Sequence, residues 1–207
     1  VAMGHTAANA DQVRAAVDAG ARLSTHLGNG AHGQIRRHPN YIWDQLAEDR
    51  LWASLIVDGH HLPAEVVQSF VRAKTPERCL LVSDITGMAG MPPGEYLGTS
   101  LGDIDILEDG RLVVAGQTQY LAGASLPITV GVANVMTFSG VHLKTAVEMA
   151  SLRPAELLQL SPTPNLAVGG RADLVLFEMK RDAPTNGLTL EVRQTFLRGE
   201  RVFVREN

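Results

Sequence analysis

The sequence predicts an α/β fold built from parallel βα units, and three observations lead there. Four short apolar runs each end on residues able to carry chemistry: residues 1–5 on His5, 21–26 on His26, 51–57 on Asp58-Gly59-His60-His61, and 79–83 on Asp84. Segments with helical apolar spacing separate these runs, the alternation that gives a parallel sheet its crossovers. The run Cys79-Leu80-Leu81-Val82 carries no charge before Asp84, as expected of a strand buried on both faces that delivers an acid to a barrel mouth.

Taken in order, residues 1–5 form the first strand. Residues 10–19 form a helix, with Val13, Ala16 and Val17 on one face and Gly20 as its stop. A second strand at 22–25 leads into a loop over 27–40 rich in glycine, histidine and arginine, and 41–49 is helical. The third strand covers 51–57, a helix over 63–73 has Pro63 in its first turn, and the fourth strand is 79–83. Between 85 and 122 the alternation breaks. Met91-Pro92-Pro93-Gly94 is turn material, and apolar runs at 104–107 and 111–114 flank Asp109-Gly110, a hairpin signal. This reads as an insertion at about 95–120, beside the site. Helices resume at about 126–138, 143–150 and 153–158. Beyond Pro164 come strands at 172–177, 195–197 and 202–204, with a turn at Arg198-Gly199-Glu200.

The totals narrow the function. A chain of 207 residues, 45% hydrophobic, can bury a substantial core in one or two domains. A net charge of −4, with acids and bases interspersed, supplies no basic stripe for a phosphate backbone, so nucleic acid is not an expected partner. Cys79 is the only cysteine, which excludes an intramolecular disulfide and leads us to expect a reducing, cytoplasmic compartment. No apolar stretch is long enough to span a bilayer, so no membrane partner is expected. Residue 1 is a valine already inside a strand-like run, and the start reads as a cut in a longer chain.

His5 and His26 each follow a strand and would share one rim, where neutral imidazoles are good ligands for a divalent metal. The competing reading of each is a hydrogen-bonded structural histidine. Asp84 fits a general base that takes a proton from activated water and returns it to a leaving amine; the alternative is a helix N-cap or turn aspartate. His61 would face the same mouth, with His60 as its solvated neighbour. Arg36, Arg37 and His38 form a cationic loop that could hold a phosphate or carboxylate, or simply be solvated. Leu121-Ala122-Gly123-Ala124-Ser125 is small-residue material where backbone can approach a ligand, or an ordinary helix entry. His32 and His142 have no distinguishing surroundings.

Gly4-His5-Thr6, Thr25-His26-Leu27 with Asn29, Asp58-Gly59-His60-His61, Val82-Ser83-Asp84 and Leu121 to Ser125 occur in an order that resembles the N-acetylglucosamine-6-phosphate deacetylases of the amidohydrolase superfamily. The resemblance extends to Gly170 to Val175 and Arg198 to Val202. It implies the C-terminal half of a TIM-like (β/α)8 barrel, over 1–164, followed by strands of a small β-sandwich over 165–207. It implies a divalent metal ion, zinc first with iron or another ion as alternatives, bound by residues matching His5 and His26, with Asp84 as catalytic acid and base. Asn29, Gly30, His61, Leu121, Ala122 and Gly123 match substrate contacts. Arg37 matches an arginine that reaches the phosphate bound to a neighbouring subunit, which implies a homodimer.

Departures accompany the match. The family usually has an aromatic residue at Gly28, alanine at Gly30 and glutamate at His38. Its first four βα units, its first sandwich strands and a metal-ligating glutamate have no counterpart here, so this piece alone is expected to be inactive or to need a partner. Other readings are an amidohydrolase acting on a cyclic amide or an unphosphorylated sugar, and a non-catalytic binding or assembly subunit.

Overall fold

The computed structural model describes residues 1–161, 166–182 and 187–206. A four-stranded parallel sheet runs in sequential order through β1 (Ala2–Met3), β2 (Leu23–Ser24), β3 (Trp52–Ile56) and β4 (Cys79–Val82). Its crossovers contain α1 (Ala10–Asp18), α2 (Tyr41–Ala47) and α3 (Ala64–Lys74). Sequential parallel order with one crossover per step is the βα repeat expected from the alternating pattern.

Local chemistry sets these boundaries. The Asn9 carboxamide accepts the Gln12 amide at 3.0 Å while the Gln12 side chain accepts the Asn9 amide at 2.9 Å, a capping box that starts α1. Gly20, with φ +104°, follows its C-cap. Pro63 occupies the N-cap of α3, so the helix runs one residue later at each end than the 63–73 read from the sequence. Every residue of β3 is buried, so this strand forms the centre of the sheet. The main core packs Leu55, Val57, Cys79 and Leu81 against Val67 and Phe70 of α3. The same core takes in Val132 and Val135 of α4 (Ile128–Ser139), which packs beside α3, and Met149 of α5 (Leu143–Ala150), with α6 (Leu152–Leu158) following.

The insertion is larger than a hairpin. It is a four-stranded antiparallel meander, β5 (Gly94–Thr99), β6 (Gly102–Ile106), β7 (Leu112–Val114) and β8 (Gln117–Leu121). Its small core is Ile104, Ile106 and Leu112, on the two strands whose apolar runs announced them. The outer strands Gly-Glu-Tyr-Leu-Gly-Thr and Gln-Thr-Gln-Tyr-Leu are largely exposed, so they carry no apolar alternation to find. The excursion is pinned at its base: the Thr86 amide donates to the Ala124 carbonyl at 2.9 Å, and the Ser125 hydroxyl donates to the Gly110 carbonyl at 2.5 Å.

The last sheet is antiparallel in the order β11 (Glu200–Val204), β10 (Leu188–Leu197), β9 (Leu174–Arg181). Arg198 and Gly199, both at positive φ, make the two-residue turn between β10 and β11. Strand β10 packs on α4, with Leu190 against the main core. It is far longer than the 195–197 read from sequence, because Glu191, Arg193 and Gln194 interrupt its apolar pattern. The boundary expected at 164/165 lies outside the described residues. Among the described residues, no helix is long and apolar enough to cross a membrane.

Candidate active site

Side chains beyond the C-terminal ends of the parallel strands share one open cavity of about 520 Å³ with residues of the insertion. His5, His26, Asp84, His60 and His61 come from strand ends, and Arg111, Thr118, Gln119 and Tyr120 from the meander. Collection of polar groups at the carboxyl ends of parallel strands follows from the polarity of the βα unit.

His5, His26 and Asp84 each stand two residues beyond their strand, and each is left-handed, at φ 47°, 30° and 52°. Such a backbone costs a non-glycine residue roughly 1–2 kcal/mol. The other left-handed non-glycine residues among the described ones, Thr75, Gln159 and Arg198, sit at helix ends or in the β10–β11 turn.

The two imidazoles meet edge to face, Nε2 to Nε2, at 3.1 Å. Nitrogens that each bind one zinc ion at about 2.0–2.1 Å lie about 3 Å apart, so the pair fits a shared divalent ion. The buried Nδ1 of His26 and Nδ2 of Asn29 have no hydrogen-bond partner among the described residues. Among the described residues, no set of three or more His, Cys, Asp or Glu side chains is gathered to hold a metal, so the structure supplies two donors and no third.

Neighbouring strands fix these groups. The His26 amide donates to the Ser54 hydroxyl at 2.7 Å, and that hydroxyl donates to the Ser24 carbonyl at 3.3 Å, so buried β3 props the end of β2. Gly30, at φ +62°, makes room for His5: a Cβ there would fall 2.6 Å from the imidazole. The Asp84 carboxylate accepts no hydrogen bond from the described residues, and it caps no helix.

At the end of β3, one Asp58 oxygen accepts the amides of His60 and His61, each at 2.9 Å. The other takes the His61 Nδ1 at 2.7 Å. Burial by itself would raise the Asp58 carboxyl; the bonds from the His61 ring and the His61 and His60 amides outweigh it and bring it down to about 2.

Of the residues singled out from sequence, His5, His26, Asn29, Gly30, His61, Asp84, Leu121 and Gly123 line the cavity. Two do not. Ala122 packs against the insertion core, its amide donating to the Leu112 carbonyl at 2.9 Å. Arg37 lies exposed in the 27–40 loop, its carbonyl accepting from Asn40 Nδ2 at 3.2 Å. His32 bonds the Tyr41 hydroxyl and His142 precedes α5, so neither joins the site. Sequence reading missed Asp58 and Arg111. An aspartate three residues before a strand-end histidine, and an arginine directly after a hairpin turn, were the available signals.

No family model matches the chain. An N-acetylgalactosamine-6-phosphate deacetylase from Escherichia coli O157:H7 is 36% identical over 202 residues, which is 97% of this chain and 50% of that protein. A short Escherichia coli (strain K12) relative with the provisional name N-acetylgalactosamine-6-phosphate deacetylase is 33% identical over 177 residues, 84% of this chain and 97% of its own length. Among solved structures, a variant of N-acetyl-D-glucosamine-6-phosphate deacetylase from Mycobacterium smegmatis, in complex with N-acetyl-D-glucosamine-6-phosphate, superposes with TM-score 0.82 at 33% identity. The match covers 98% of this chain and 51% of that one. The chain therefore spans about half the length of most relatives it matches.

Proposed function

Since the chain belongs to the N-acetylglucosamine-6-phosphate deacetylase family and corresponds to its C-terminal portion, we propose that it carries the C-terminal half of a deacetylase site for an N-acetylhexosamine 6-phosphate. In this reading the parallel sheet is half of a TIM-like barrel, 1–164 is the barrel portion and 165–207 belongs to a β-sandwich. The observation that carries the proposal is the 3.1 Å approach of the His5 and His26 Nε2 atoms in the cavity that Asp84 also lines.

His5 and His26 would hold a divalent ion, zinc before iron, through Nε2. When bound, that ion supplies Lewis-acid polarisation of an amide carbonyl and lowers the pKa of water. Asp84 takes a proton from the attacking water; the C–N bond of the acetamide breaks, and the proton passes to the leaving amine, giving acetate and the free amino sugar. Asn29, Gly30, His61, Leu121 and Gly123 orient the sugar. Ala122, outside the cavity wall with its amide bonded to Leu112, supports the insertion core and is given no contact with the sugar. Arg37, exposed and outside its own cavity, suits a reach to the phosphate of a second copy in a homodimer. A buried, unpaired Cys79 suits a reducing cytoplasm.

Metal analysis and acetate release test this. A stoichiometric divalent ion, lost in a His5→Ala, His26→Ala double variant, is expected, with acetate released from N-acetylhexosamine 6-phosphates in preference to the plain sugars once a partner supplies the other half of the site. Full metal occupancy in the double variant would overturn the assignment.

A further inference from the structure

We propose that Asp58 is a positioning residue for His61: it keeps a proton on Nδ1 and fixes the ring so that Nε2 is the atom offered to the cavity. Both Asp58 oxygens are committed, one to two backbone amides and the other to the ring nitrogen at 2.7 Å. The two side chains are only 7% and 9% exposed, so water competes poorly for that bond. An ionised carboxylate only accepts, so the hydrogen in the short contact comes from the imidazole. The turn that creates this arrangement is itself fixed. Gly59 at φ +88° lets the chain fold back over Asp58, and Asn134 of α4 donates to the Val57 carbonyl at 3.0 Å, tying the strand end to the core.

Nε2 has no hydrogen-bond partner among the described residues, and His61 lines the cavity, so that nitrogen meets whatever enters. A carboxylate behind a histidine sets tautomer and ring direction in hydrolases and metal sites of many folds. Which ligand atom Nε2 meets rests on the proposed sugar phosphate substrate; the tautomer does not.

Asp58→Asn is the diagnostic change. Its carboxamide oxygen can still accept the His60 and His61 amides, but its NH₂ would face Nδ1, and two donors cannot share one hydrogen bond. The ring proton then moves to Nε2. Long-range ¹H–¹⁵N correlation of the histidine side chains, with the His61 signals assigned by their loss in His61→Gln, reads this directly. Protonated Nδ1 is expected in the native chain and neutral Nε2–H in Asp58→Asn. Affinity for N-acetylglucosamine-6-phosphate should fall about tenfold in each single variant, and the double variant should bind no more weakly than His61→Gln alone. An unprotonated Nδ1 in the native chain would overturn the proposal even if Asp58→Asn failed to fold; so would an unchanged tautomer in that variant, or additive losses. A native chain with the expected tautomer but no affinity for the sugar phosphate would count against the deacetylase reading and leave the positioning role standing.

Discussion

Two serines on adjacent parallel strands, both fully or almost fully buried, should respond oppositely to alanine. The Ser54 hydroxyl accepts the His26 amide at 2.7 Å and donates to the Ser24 carbonyl at 3.3 Å. Ser54→Ala strands a partly buried amide at the end of β2, which costs about 1–3 kcal/mol, and the longer second bond adds little. For a chain of this size each kcal/mol shifts the melting temperature by about 2–4 °C, so a fall of roughly 2–12 °C is expected. The Ser24 hydroxyl is buried without a partner. Ser24→Ala removes a desolvated group that gains nothing, so stability should change by less than about 0.5 kcal/mol or rise. Thermal melts of the two variants decide the matter, and zinc titration adds a second reading. Because His26 leans on Ser54, Ser54→Ala should weaken metal binding about tenfold while Ser24→Ala leaves it near native. Equal losses of stability, or a larger loss in Ser24→Ala, would refute the idea that β3 props the strand-end histidine.

Other consequences can be measured alongside. A Cβ on Gly123 would lie 2.5 Å from Thr86 Cγ2 at φ +97°; Gly123→Ala should cost about 2–3 kcal/mol from strain and overlap, and adding Thr86→Ser should recover the overlap portion in chemical melts. The folded Asp58 carboxyl is held at about 2, below its unfolded value of about 3.9, so its contribution is complete above pH 4 and vanishes as pH falls from about 4 toward 2. After solvent screening it amounts to roughly 1–2 kcal/mol, so the stabilities of native and Asp58→Asn chains should differ at pH 6 and converge near pH 2. Arg111 is the only lysine or arginine lining the cavity among the described residues. Arg111→Ala should weaken N-acetylglucosamine-6-phosphate about tenfold in calorimetry and leave the unphosphorylated sugar almost unaffected.

The parallel half of the fold was legible because burial wrote it into the chain. A strand covered on both faces, such as β3 or β4, has to be an apolar run, and the polar residues at its end stand out against it. Gly20 follows the C-cap of its helix, where the periodicity ran out. The meander's outer strands and most of β10 were hidden for the opposite reason: they lie at the surface or alternate with charges, so their pairing is fixed by hydrogen bonds and neighbours and not by an apolar pattern. The site divided in the same way. His5, His26 and Asp84 could be found by where their strands stop, whereas Arg111 reaches the cavity only through the way the insertion folds back, pinned by Ser125 and Ala124. Asp58 was visible as a residue but not as a partner of His61, because a carboxylate three positions before a histidine has many loop conformations open to it.

If His5, His26 and Asp84 have the roles proposed for them, their left-handed backbone sets heat tolerance against chemistry at the same three positions. Glycine or asparagine would rest there with less strain. A mutant library selected only for survival of heating should therefore drift toward those residues at 5, 26 and 84 and lose its chemistry as it does so, while a library selected for turnover should keep them and gather its stabilising changes elsewhere in the chain.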